Sequence, residues 1–122
     1  MDIRLPYGRG VLEGTLPDSR VKAVLKSGID AYRPAAGPRE LVEESLRSPI
    51  GSSPLHELSR GKRRVVLLAS DHTRPVPSKI IVPQMLEEIR RGNPEAEITI
   101  LIATGCHRGP TREELEEKFG PQ

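Results

Sequence analysis

The sequence predicts an α/β fold: an N-terminal β-hairpin with neighbouring strands, then a βαβ unit whose partly parallel sheet is flanked by helices. Three observations predict it. Two continuous apolar runs, RRVVLLAS and AEITILIAT, lack the alternation of a half-exposed strand, which suits parallel strands buried on both faces. Between them, SKIIVPQMLEEIRR carries apolar residues at helical spacing. Ahead of both, two short strand-like runs are split by Tyr7-Gly8-Arg9-Gly10, whose glycines suit a hairpin turn.

Taken in order, DIRLPYG and RGVLEGTL read as the hairpin strands, and RVKAVLKS, residues 20–27, as a third strand. GIDAYRPAAG is a loop by its Gly, Pro and Ala content. Pro38 opens a helix with Leu41, Val42 and Leu46 on one side, and SPIGSS breaks it. Ser53-Pro54 starts a short second helix to about Ser59. The strand at 64–69 follows. The helix at 78–91 sets Val82, Met85, Leu86 and Ile89 inward, with Pro83 in its early turns, and Gly92-Asn93-Pro94 stops it. The strand at 96–104 comes next, and Thr111-Arg112-Glu113-Glu114 is a capping-box pattern opening the last helix.

Composition narrows the function classes. At 122 residues the chain suits one domain with one core. Aromatic residues are 2% with no Trp, so base stacking on aromatic side chains is not available and nucleic acid is not an expected partner. The formal charge is +2 with acids and bases interspersed; GKRR at 61–64 is a solvated strand end rather than a basic patch. One cysteine, Cys106, permits no internal disulfide, which fits a reducing cytoplasm. No apolar leader and no run of about 18 apolar residues is present, so no membrane association is expected. There is no G-x-G-x-x-G after the 64–69 strand and no P-loop pattern.

Two polar clusters carry the chemistry. The first apolar strand runs into Asp71-His72-Thr73-Arg74, and the second into Thr104-Gly105-Cys106-His107-Arg108. If the strands are parallel neighbours, both clusters lie at the carboxyl edge of the sheet, where open α/β sheets bind ligands. Arg74 offers a planar fork for a carboxylate or phosphate, and Pro75 and Pro77 restrict the backbone beside it. His107 is an imidazole, the side chain most often used as a general acid or base. Asp71 has three readings: it orients a histidine, fixes Arg74, or caps the turn. Thr73 and Thr104 can donate to an anion. His72 reads as structural or catalytic, and Arg108 as a ligand contact or a salt bridge to the next helix. Cys106 beside His107 does not form a nucleophile pair, because adjacent extended residues point apart. His56 reads as a helix residue. Three histidines and one cysteine show no zinc spacing.

These residues carry a resemblance. Asp71-x-Thr73-Arg74-Pro75 followed by Gly105-x-His107-Arg108 resembles the paired motifs of the lactate racemase family, the nickel-pincer 2-hydroxyacid racemases and epimerases. The strong part covers roughly residues 60–120, and LPYGRGVLEGTLPD resembles the family's opening strands more loosely. The resemblance implies that His107 is one of two acid/base histidines and that Arg74 contacts the substrate carboxylate, with Asp71 and Thr73 beside it in the substrate-binding set and His72, Thr104 and Arg108 as supporting candidates. It implies a nickel-pincer nucleotide as cofactor and a small 2-hydroxyacid as substrate. The family's cofactor-linking lysine, nickel-ligand histidine and second acid/base histidine lie downstream of these motifs, and nothing here matches them. Residues 1–122 are therefore expected to be a single domain, the N-terminal fragment of a longer two-domain racemase. Alone it is expected to be inactive, with no metal ligands of its own and the remaining domain as its partner. The rival readings are a non-catalytic α/β module that binds a small anion, and an interaction module that needs a second chain to complete its sheet.

Overall fold

The structure is a computed structural model that describes residues 1–121; the expected chain end at Gln122 lies outside them. Two compact units, Met1–Pro34 and Ala35–Gln122, make up the chain.

In the first unit, β1 (Asp2–Tyr7) and β2 (Gly10–Thr15) pair antiparallel, with Leu5 opposite Leu12. The two-residue turn between them places Gly8 at φ 58°, a conformation that a side chain would disfavour. Thr15 Oγ1 donates to Asp2 Oδ1 at 2.8 Å, and Arg4 pairs with Glu13 at 3.0 Å. These pairs mark the polar face of the ribbon. The third strand expected at residues 20–27 does not form. A short 3₁₀ turn at Asp18–Arg20 is followed by irregular chain, in which Leu25 is 94% exposed. The physical reason is pairing. A strand needs a hydrogen-bonded neighbour, and none of the described strands pairs with this segment.

In the second unit, α1 (Pro38–Arg47) begins with the Gly37 N–H donating to Glu40 Oε2 at 2.9 Å, and α2 (Leu55–Leu58) is a single turn. β3 (Arg64–Ser70) and β4 (Glu97–Ala103) pair in parallel, with Arg64 opposite Glu97 and Ser70 opposite Ala103. Between them runs α3 (Ser78–Gly92), and α4 (Arg112–Phe119) closes the unit. The core is Leu67, Ile89 and Ala96, with Leu55, Val65, Met85, Leu86 and Ile98 packed against it. At the end of α3, a Cβ on Gly92 would collide with the His56 carbonyl; only glycine lets α3 approach α2 that closely.

One expectation about the sheet is corrected. β3 and β4 are not buried on both faces: Val66 is 56%, Leu68 76% and Leu101 53% exposed. Register puts these three residues on one face. A two-stranded sheet with helices packed on the Leu67 side has nothing in this unit to cover the other. No described helix is long and apolar enough to cross a membrane.

Candidate functional site

Parallel register brings the ends of β3 and β4 level, so the two polar clusters emerge at the same edge. Asp71 follows β3 directly and is 2% exposed. Its carboxylate makes an Asx-type turn: Oδ1 accepts from the Thr73 N–H at 3.1 Å and from the Thr73 hydroxyl at 2.6 Å. Its other oxygen, Oδ2, lies 2.7 Å from Nδ1 of His107. Hydrogen bonds from Thr73, and then from His107, hold the Asp71 carboxyl well below its ordinary range. The carboxylate is thus ionised at neutral pH and can only accept. His107 therefore carries its neutral-state proton on Nδ1, and Nε2 keeps a free lone pair. The ring is half-exposed, so this pair has the arrangement of an oriented general base.

The second loop is shaped for that contact. The His107 N–H donates to the Thr104 carbonyl at 3.0 Å, closing a tight turn with Gly105 at φ 60°. Thr104 contributes this backbone acceptor; its side chain makes no hydrogen bond to a described residue. Cys106 is exposed.

The prolines have a specific backbone task. The Val76 N–H donates to the Arg74 carbonyl and the Ser78 N–H to the Val76 carbonyl, both at 2.8 Å. These are successive three-residue turns centred on Pro75 and Pro77. Pro77 sits at φ −77°, ψ 62°, close to the inverse γ-turn minimum, and the pyrrolidine ring favours that φ. Lys118 Nζ adds a 2.7 Å bond to the Arg74 carbonyl. The Arg74 backbone is thereby held from two sides. Its exposed guanidinium has no hydrogen-bond or ion-pair partner among the described residues. It lines a cavity of about 540 Å³ together with Ser78, Lys79, Lys118 and His72. His107 does not line that cavity.

The sequence candidates thus fall into three groups. Asp71, Thr73 and His107 meet. His72 and Arg108 meet at Glu114, as an ion pair of 3.3 Å and a fork of 2.6 and 2.8 Å. The Arg74 side chain makes no bond to either group but shares the lining of its cavity with His72 and Glu114. Of the three readings of Asp71, the structure combines two, orienting His107 and capping the turn; the carboxylate makes no bond to the Arg74 side chain. Arg108 is a salt bridge to the next helix. No sequence pattern points to Ser78, to Lys118 or to the reach of Glu114 to both loops. Lys118 meets Arg74 from 44 positions away, with no spacing signal to announce it. Among the described residues, no group of three or more His, Cys, Asp or Glu side chains is placed to hold a metal ion.

Known proteins share this fold. A family model described as the lactate racemase N-terminal domain matches residues 7–122. The chain is 44% identical over 119 residues to a lactate racemase of Thermoanaerobacterium thermosaccharolyticum and 46% identical over 118 residues to one of Lactiplantibacillus plantarum. These alignments cover 98% and 97% of this chain but 28% of each relative, so the chain spans under a third of their length. The structure of the lactate racemase apoprotein from T. thermosaccharolyticum superposes with a TM-score of 0.83 at 43% identity, over 99% of this chain and 27% of that one. Over residues 7–122, from the hairpin turn onward, the chain belongs to the lactate racemase N-terminal domain family.

Proposed function

We propose that this chain is the N-terminal catalytic part of a cytoplasmic 2-hydroxyacid racemase, acting on lactate or a close analogue. The observation that carries the reading is the Asp71–His107 pair at the shared edge of β3 and β4. Racemisation at a hydroxyl-bearing carbon needs a base for the hydroxyl proton. His107 Nε2 supplies one, while Asp71 fixes the tautomer and stabilises the imidazolium that forms. Arg74, anchored through its backbone and unpaired at its guanidinium, is the contact for the substrate carboxylate.

The nickel-pincer nucleotide that the resemblance implies supplies the chemistry at the carbon when bound. Its lysine, its nickel ligand and the second acid/base histidine come from chain outside these residues, in a second domain that completes the site. This is the reading of residues 1–122 as one part of a two-domain racemase.

The test is racemisation of L-lactate by the full-length, cofactor-loaded protein, with His107→Ala and Arg74→Ala. His107→Ala is expected to lower kcat by about 10²–10⁴-fold, and Arg74→Ala to raise KM steeply. Full activity in either variant removes that residue from the role given to it.

A further inference from the structure

Glu114 lies on α4, outside both strand-end motifs, yet it touches each of them. Its two oxygens accept a fork from Arg108, at 2.6 Å to Oε1 and 2.8 Å to Oε2. Oε1 is also 3.3 Å from His72 Nε2. Arg108 is the residue after His107, and His72 is the residue after Asp71. Neither Asp71 nor His107 touches Glu114, but both of their chain neighbours do. The remaining bond of the carboxylate is local: Oε2 accepts from the Thr111 N–H at 2.8 Å, completing the capping box.

We propose that Glu114 is a positioning residue: one carboxylate ties the two strand-end loops together through Arg108 and His72 and so holds His107 within reach of Asp71. The proposal rests on the racemase reading only for its catalytic consequence. Its geometric consequence is independent of any activity.

Three features support it. The Arg108–Glu114 contact is bidentate, which fixes direction as well as distance. The carboxyl is held at about 2 by the Arg108 hydrogen bonds first and then the Thr111 backbone bond. It therefore stays ionised across the working range. The third feature is His72 itself. Its Nδ1 is buried with no partner among the described residues. A proton on Nδ1 would be stranded there, so the neutral ring's proton belongs on Nε2, the nitrogen that faces Glu114 at 3.3 Å. That one-sided satisfaction makes the histidine dependent on this carboxylate for its orientation.

A capping role alone makes a different prediction from a positioning role, and histidine NMR of this chain separates them. In the unaltered chain, ¹⁵N shifts should report His107 with its proton on Nδ1. Glu114→Gln, which destroys the charged fork, is expected to reduce the Nδ1–H population of His107 several-fold. Arg108→Gln acts on the exposed end of the same fork, with no loss of core packing, and is expected to do the same. Thr111→Val removes the hydroxyl cap but leaves the fork. It should lower the thermal midpoint without changing the His107 tautomer. Should Glu114→Gln fail to fold, Arg108→Gln decides. An unchanged His107 tautomer in a folded Glu114→Gln or in Arg108→Gln overturns the proposal. In the full-length enzyme, Arg108→Gln is further expected to lower kcat about 10- to 100-fold with little change in KM, the signature of a displaced base. If the unaltered enzyme shows no racemisation, the racemase reading fails while the NMR comparison still decides the role of Glu114.

Discussion

Asp71 Oδ2 and His107 Nδ1 are 2.7 Å apart, although 36 positions of sequence separate the two residues. The bond closes a loop through α3 and β4, so it reports directly on whether β3 and β4 are in register. It also assigns the proton: an ionised acceptor requires Nδ1–H. Replacing the carboxylate by an amide offers Nδ1 either an N–H or an oxygen and removes the preference. Asp71→Asn is therefore expected to shift neutral His107 toward the Nε2–H form, seen as an exchange of its two ¹⁵N resonances. In the full-length enzyme, loss of the correct tautomer is expected to cost about 10⁴-fold in kcat. Retention of a single Nδ1–H species in Asp71→Asn would show that the charge of Asp71 does not set the tautomer, leaving the amide oxygen or Thr73, 3.5 Å from Nδ1, as the acceptor.

Acid stability follows from the same carboxylates. Asp71 is lowered from 3.8, first by the Thr73 hydroxyl and next by His107, and Glu114 is lowered from 4.5 to about 2, first by Arg108. A carboxyl depressed in the folded state contributes stability that is fully present above its unfolded value. That contribution is lost as pH falls through the folded value. The fold is thus expected to weaken progressively from about pH 5 downward, through the interval to about 2 where Glu114 protonates. Thr73→Val deletes the largest cause of the Asp71 shift and should raise that carboxyl measurably in a ¹³C titration. Glu114→Gln should flatten the acid limb of a circular dichroism pH titration. An acid limb of unchanged slope in both variants would place the acid sensitivity elsewhere.

The turn before His107 predicts a contrast between two glycines four positions apart. Gly105 has φ 60°, and a Cβ there meets no atom within 4 Å. The cost of Gly105→Ala is thus conformational alone, about 1–2 kcal/mol. It should appear both in urea unfolding and as a moved His107 resonance. Gly109 also has open space around its Cβ position, without a positive φ. Gly109→Ala should be neutral or stabilise by up to about 1 kcal/mol through the unfolded chain. Equal losses at the two positions would mean that the loop does not hold its turn in solution.

What was legible in the sequence was whatever depended on local pattern. The hairpin turn at Gly8, the Thr111 capping box and the continuous runs of β3 and β4 gave the order of elements, because periodicity and turn chemistry are local. The convergence of Asp71 and His107 on one edge was legible by one further step, from parallel pairing. What stayed hidden depended on partners that no short window contains. Residues 20–27 have the composition of a strand but no neighbour to pair with. Leu68 reads as buried because a continuous apolar run carries no mark of which layers are present. The cavity beside Arg74 is built with Lys118, which reaches it from α4, and the cluster at Glu114 needed three-dimensional placement of two loops and a helix.

The two faces of the β3–β4 sheet make the last prediction, since they differ in cover but not in composition. Leu67 faces the core, where Ile89 is fully buried and Ala96 is 3% exposed. Ile89→Ala removes a whole buried side chain and is expected to cost about 2–5 kcal/mol. That is a large share of the stability of a domain this size, whose total is about 5–15 kcal/mol. Leu68, one position along β3, points the other way into solvent. Leu68→Ala removes almost no buried area and is expected to change stability by less than about 0.5 kcal/mol. Urea unfolding of both variants in this chain measures the difference, with sedimentation to report its association state. A loss above about 1.5 kcal/mol for Leu68→Ala, accompanied by a concentration-dependent midpoint, would mean that copies of the chain cover this face for one another in solution. A neutral Leu68→Ala beside a destabilising Ile89→Ala would place all of the sheet's packing energy in this unit on the side facing α3.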